Sequence, residues 1–227
     1  MAKENVTVVL AHGAWADGSS WMRVIERLDA AGRRAIAAPL PLTALADDVV
    51  ALDRVIARAG GPVVLVGHAY AGAVIGATRA ESVKALVYIN ALAPDVGETV
   101  ADVFNRTAPH PLAPPLAPDA DGLIWLPDEA FVNAFAPQAG RREQVVLAAV
   151  QRPISLACIT EPVDRPLWHD RPSWYLVADE DRMISGDNQR FMAERMGATV
   201  VTRSLDHAPM ITAPDAVTAV ILAAVRA

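Results

Sequence analysis

Three short stretches of this chain carry residue types that could do nucleophilic chemistry, and a fourth frames them. Gly67-His68-Ala69-Tyr70-Ala71 follows a run of β-branched residues and leads into helix-like sequence. A Gly-x-x-x-small pentapeptide between a strand and a helix is a tight turn that lifts its middle side chain into the open, where serine acts as a nucleophile. Here the middle residue is Ala69. Asp179-Glu180-Asp181 follows the apolar run "WYLVA", and Asp206-His207 follows "ATVVTRSL". A carboxylate and a histidine are the partners such a nucleophile needs, one to hold an imidazole and the other to move a proton. The glycine-containing loop His12-Gly13-Ala14-Trp15 follows the first apolar run. Each stretch alone arises easily by chance. All four at strand ends, in the order nucleophile position, acid, histidine, do not.

Those strand ends must come from an alternating fold. Val6 to Ala11 is a continuous apolar run, as expected of a strand covered on both faces. Trp21, Val24, Ile25, Leu28 and Ala31 recur at helical spacing up to Gly32. "RAIAAPLP" predicts a short strand. Leu45, Val49, Leu52, Ile56 and Ala59 mark a second helix, with Asp47 and Asp48 near its start, Arg58 near its end and Gly60-Gly61 beyond. "PVVLVG" is the third strand, Tyr70 to Ala80 its helix and "VKALVYIN" the fourth strand. Past residue 93 the alternation breaks. Residues 108–118, "APHPLAPPLAP", hold five prolines and read as a surface loop. Glu129 to Phe135 and Arg141 to Gln151 look helical. The alternation resumes with a strand over Trp174 to Ala178, a helix around Asn188 to Met196, a strand over Thr199 to Ser204 and a helix from about Pro214. This predicts an α/β fold with a mostly parallel sheet, helices on both faces and right-handed crossovers. Residues 1–93 and 169–227 form the core, and 94–168 are an insertion.

Composition narrows the function classes. At 227 residues the chain fits one large α/β domain. A hydrophobic content of 53% and a mean hydropathy of +0.26 suit a well-filled core. No apolar run reaches the roughly 18 residues of a membrane span. The N-terminal apolar segment is too short for a signal-peptide core, and Glu4 stands where a basic flank is expected. A single cysteine, Cys158, excludes an intramolecular disulfide and suits a reducing cytoplasm. A net charge of −6 without basic clusters argues against nucleic acid or an anionic membrane as partner. Neither metal-ligand spacing nor a phosphate-cradling glycine loop is present, so no cofactor is expected.

"HGAW", "VGHAYAG", "YLVADEDRMI" and "LDHAPMI" together resemble the signature segments of the plant methylesterase and hydroxynitrile-lyase group of the α/β-hydrolases. That group includes salicylate-binding esterases and many small bacterial esterases. The resemblance runs from the first strand to the last helix and is poor through the proline-rich part of the insertion. It implies an α/β-hydrolase fold in which the Ser-Asp-His triad falls on position 69, Asp181 and His207. Asp179 and Glu180 are nearby alternatives that the residues alone leave open. The resemblance also implies oxyanion donors at the backbone N–H groups of Ala14 and Tyr70, each of a kind that contributes about 3 kcal/mol, and a cap formed by residues 94–168. His12 and His68 read as structural. Trp15, Phe104, Trp125, Phe131 and Phe135 are candidates for an apolar substrate pocket, with ordinary cap core as their bland alternative. Ser19 and Ser20 lie in the loop after "HGAW", where the group lines its entry with small polar residues. Cys158 reads as a buried inert thiol.

Three explanations fit Ala69. An esterase whose serine has been changed to alanine leads, because acid, histidine, oxyanion loop and cap remain around the gap. A natural alanine with a ligand-binding pocket, or with proton transfer by His207 alone, are the others. The implied parent activity is cofactor-free hydrolysis of a small apolar ester or lactone. Hydroxynitrile lyases of the group have lysine after the catalytic histidine, where this chain has Ala208, and haloalkane dehalogenation needs aspartate at position 69.

Overall fold

The computed structural model describes residues 6–227; Glu4, and with it the N-terminal flank considered above, lies outside the described residues. β1 (Thr7–Ala11) is buried along its whole length, as its unbroken apolar sequence requires. A 3-10 turn over Gly18–Trp21 leads into α1 (Met22–Ala30), which buries Val24 and Leu28. β2 (Ala35–Ala38) follows, then α2 (Leu45–Ala59), which Gly60 ends in the left-handed region at φ +72. β3 (Val63–His68), α3 (Ala71–Ala77) and β4 (Val83–Ile89) are buried at almost every position. α3 is shorter than its sequence pattern suggests, because the backbone turns extended at Thr78.

The segment after β4 holds α4 (Val100–Phe104), β5 (Leu123–Ile124) and α5 (Asp128–Ala130), which runs into a π-helical turn over Phe131–Phe135. α6 (Arg141–Val150), β6 (Ile154–Ser155) and α7 (Leu156–Thr160) complete it. β5 and β6 pair antiparallel, a contact of two residues from each side that no local periodicity could announce. The proline-rich stretch 108–118 is irregular. Then come β7 (Ser173–Ala178), α8 (Gly186–Arg195), β8 (Thr199–Arg203), α9 (Pro209–Thr212) and α10 (Pro214–Arg226).

The six long strands form one parallel sheet in the order β2-β1-β3-β4-β7-β8. From β1 the chain moves one way to β2 and then returns past β1 to β3, β4, β7 and β8. With right-handed crossovers this puts α1 on one face and α2, α3 and α8 on the other. α10 packs on α1 and so completes the first face. The direction of winding reverses between β1 and β3, and their carboxyl ends open the crevice where parallel sheets bind ligands.

Candidate active site

Ala69 is the first residue past β3 and stands at φ +48, a left-handed conformation that costs a side-chain-bearing residue about 1–2 kcal/mol. Its surroundings hold it there. The Ala69 carbonyl accepts from Gly72 N at 3.1 Å and Leu92 N at 2.9 Å, so the turn is pinned to the chain leaving β4. Close packing does the rest. A Cβ at Gly67 would lie 2.7 Å from the Ala71 carbonyl oxygen, and one at Gly72 would collide with the Leu92 carbonyl and sit 2.8 Å from Ala91 Cβ. The second close approach therefore falls at Gly72, one residue past the usual motif glycine, while Ala71 is accommodated.

His207 follows β8 and meets Asp181, which follows β7: Nδ1 lies 2.9 Å from Asp181 Oδ2. An ionised carboxylate only accepts, so Nδ1 carries the hydrogen and Nε2 is the free ring nitrogen. Asp181 is itself held by Met183 N, Ile184 N, Asn90 Nδ2 and Gln189 Nε2 at 2.8 to 3.0 Å. Of the three acids after β7, the other two face elsewhere. Asp179 pairs with Arg190, and Glu180 accepts from Gln138 Nε2. The His207 carbonyl accepts from His68 Nε2 at 2.7 Å and Asn90 Nδ2 at 3.0 Å, which fixes the backbone of the histidine as well as its ring. His68 is therefore a strut. Burial, with His207 beside it, holds its pKa well below the ordinary histidine value, so it is neutral. His12 is likewise buried: Nδ1 donates to Gly13 O and Nε2 accepts from Leu40 N, which shapes the loop after β1.

That loop presses against the elbow. A Cβ at Gly13 would stand 3.0 Å from both Ala69 Cβ and His68 Nδ1, so only glycine brings Ala14 this close. Among the described residues no backbone acceptor takes the N–H of Ala14 or of Tyr70. The Tyr70 N–H also lies at the start of α3, where the helix leaves its first N–H groups unpaired.

A cavity of about 210 Å³ lies over these groups, lined by Ala14, Ala69, Tyr70 and His207 together with apolar side chains. Trp15 lines it as expected, fixed by an Nε1 bond to Ile124 O at 3.0 Å, and so does Phe104. The other five candidates, Ser19, Ser20, Trp125, Phe131 and Phe135, need correction, since none of them lines this cavity. Ser20 is absent from the lining, and its hydroxyl is taken by Asp17 O at 2.7 Å within the 3-10 turn. Trp125 is 48% exposed and bonds Asp119 on the outer surface. Phe131 is fully buried against Phe135, whose ring in turn backs His207 at a centroid distance of 5.1 Å. The actual apolar wall comes from Leu116, Pro118, Ile154, Leu156 and Ile159, in stretches without helical or strand periodicity long enough to read. Asn90 and Gln189 were also missed as holders of Asp181. The one available signal was the polar Asn90 closing the apolar run of a central strand. Among the described residues no group of three or more His, Cys, Asp or Glu side chains is placed to hold a metal, and no helix is long and apolar enough to cross a membrane.

A family model described as "Alpha/beta hydrolase family" matches residues 8–220. The chain is 25% identical over 238 aligned positions to the alpha/beta hydrolase nvfD of Aspergillus novofumigatus (strain IBT 16806), covering 92% of each. Among solved structures, polyneuridine aldehyde esterase superposes with a TM-score of 0.83 at 19% identity, over 97% of this chain and 99% of that one. A methylesterase from Arabidopsis superposes at 0.78 with 17% identity, over 97% and 99%.

Proposed function

The chain belongs to the alpha/beta hydrolase family, and within it we propose a scaffold for hydrolysis of small apolar carboxylic esters or lactones whose nucleophile position holds Ala69. The observation that carries this reading is the convergence on one cavity wall of Ala69 at φ +48, the Asp181-held His207, and Ala14 and Tyr70. In the serine form, His207 Nε2 takes the hydroxyl proton as the oxygen attacks the ester carbonyl. The Ala14 and Tyr70 N–H groups receive the oxyanion, and Asp181 stabilises the imidazolium. His207 then protonates the leaving alcohol, and water clears the acyl-enzyme by the same route. The segment between β4 and β7 acts as the cap, since more than half of the residues lining the cavity are its own.

With alanine at position 69 the acyl-enzyme cannot form, and ester turnover should fall roughly 10⁶-fold relative to serine. The test is hydrolysis of short-chain p-nitrophenyl esters by this chain and by Ala69→Ser. Turnover and covalent labelling by a fluorophosphonate in the serine form, with neither in the alanine form, is the expected result. A serine form inert across acyl lengths would overturn the esterase reading in favour of a binding pocket.

A further inference from the structure

A hydrolase site without its nucleophile still has a base, an oxyanion cradle and an apolar cavity. We propose that this chain, as it stands, catalyses proton transfer at the carbon next to the carbonyl of small apolar ketones. The inference rests on the reading of Ala14, Tyr70, Asp181 and His207 given above.

Among the described residues the cavity lining contains no Ser, Thr, Cys, Asp, Glu, Lys or Arg. The Tyr70 hydroxyl is turned away onto Asp48 Oδ2 at 2.7 Å. Among the described residues His207 is therefore the one base lining the cavity, and its Nε2 is the nitrogen that Asp181 leaves free. In a serine hydrolase the serine hydroxyl occupies that nitrogen. Here the residue is Ala69, whose methyl group offers Nε2 no hydrogen bond, so the lone pair is left to a molecule in the cavity. A ketone has no leaving group, so the missing nucleophile costs it nothing.

The step balances within the site. Nε2 takes the α-proton with its lone pair, and the C–H electrons form the enolate double bond. The carbonyl π pair moves onto oxygen, where the Ala14 and Tyr70 N–H groups receive it, while Asp181 stabilises the imidazolium. While the enolate is held, Nε2–H exchanges its proton with solvent water. Delivery of that solvent-derived proton to the same carbon, with the enolate electrons re-forming the C–H bond, regenerates the ketone and the free imidazole. The net outcome is exchange of the α-hydrogen with solvent and racemisation where that carbon is a stereocentre. No oxidant, reductant or cofactor is consumed.

The test uses the full chain with β-tetralone in heavy water, with deuterium incorporation followed by NMR and binding followed by saturation transfer. Exchange should exceed that from free imidazole at equal concentration by about 10²-fold or more, and His207→Gln should remove it. Ala69→Ser should reduce exchange about tenfold, because its hydroxyl takes up Nε2, while gaining ester hydrolysis. One substitution thus moves the two activities in opposite directions, and this guards against a His207→Gln variant that merely misfolds. Exchange no faster than in His207→Gln, whether β-tetralone binds or not, overturns the proposal. If Ala69→Ser hydrolyses esters while the parent chain exchanges nothing, this inference falls and the esterase reading stands. Exchange in the parent chain without ester hydrolysis in Ala69→Ser overturns the esterase reading and leaves proton transfer by His207 standing.

Discussion

Asp48 is wholly buried at the first turn of α2, where it ties three parts of the molecule together. Its Oδ1 accepts from Leu42 N at 2.8 Å, while Oδ2 accepts the Tyr70 hydroxyl at 2.7 Å and lies 3.7 Å from Cys158 Sγ. Sequence pattern showed Asp48 only as one of two acids suited to a helix start, since its partners lie 22 and 110 residues away. Burial pushes its carboxyl pKa above the ordinary value, and the Tyr70 hydrogen bond opposes that shift. A carboxyl whose pKa the fold raises binds its proton more tightly folded than unfolded. Its contribution therefore favours the fold at low pH and is lost as pH rises through the folded value. Tyr70→Phe removes the opposing donor and leaves a buried acceptor short of a partner. It should cost about 1–3 kcal/mol in urea unfolding where Asp48 is ionised, and the cost should shrink as pH falls through the raised folded value of Asp48. A pH-independent cost would mean that Asp48 does not change protonation in the folded protein over the range measured. Burial also pushes the Cys158 thiol up to about 12, with Asp48 adding to the shift. Ellman's reagent should find no thiol in the native protein at pH 8 and one per chain after unfolding.

The elbow between β3 and α3 shows what an element adds to its residues. Its place in the chain was legible, because a β-branched run meets a small-residue helix there. Which of its small residues could not be enlarged was not legible, because that depends on the chain leaving β4. The second approach point is Gly72, where an added methyl meets the Leu92 carbonyl and Ala91 Cβ, both backbone or short and unable to swing aside. Gly72→Ala should therefore lower stability by about 2–3 kcal/mol, read as a fall in the thermal midpoint. It should also lower ester turnover in the Ala69→Ser background, since Leu92 N holds the Ala69 carbonyl. An unchanged midpoint would show that the β4 exit yields more easily than its packing suggests. The same long-range dependence hid Asn90 and Gln189, which reach Asp181 across 91 and 8 residues. Strand ends are visible in sequence because strands are continuous. The side chains that orient an acid from a neighbouring strand and helix leave no comparable period.

At the scale of the whole molecule the cavity has two walls of different origin. The sheet's carboxyl edge supplies Ala14, Ala69, Tyr70 and His207, and the segment between β4 and β7 supplies Phe104, Leu116, Ile154 and Ile159. The first wall is set by parallel strands in register and bears the imidazole and the unpaired backbone N–H groups. The second, apart from Asn105, contributes apolar contact from short helices and irregular chain, and on the proposed reading would set the size of what fits rather than what happens to it. This division predicts that acyl-chain preference can be moved without touching the reacting atoms. Phe104 stands at the end of α4, half-buried, with its ring in the cavity wall. Each methylene accommodated or refused in an apolar pocket changes transition-state binding by about 1–3 kcal/mol. In the Ala69→Ser background, Phe104→Ala should therefore raise the kcat/KM ratio of octanoate over acetate p-nitrophenyl esters by roughly 10- to 100-fold. The fluorophosphonate labelling rate should stay within a few-fold, because Ala14, Tyr70, Asp181 and His207 keep their positions. If labelling collapsed together with acetate turnover, Phe104 would be supporting the catalytic wall, and the two walls would not be separable.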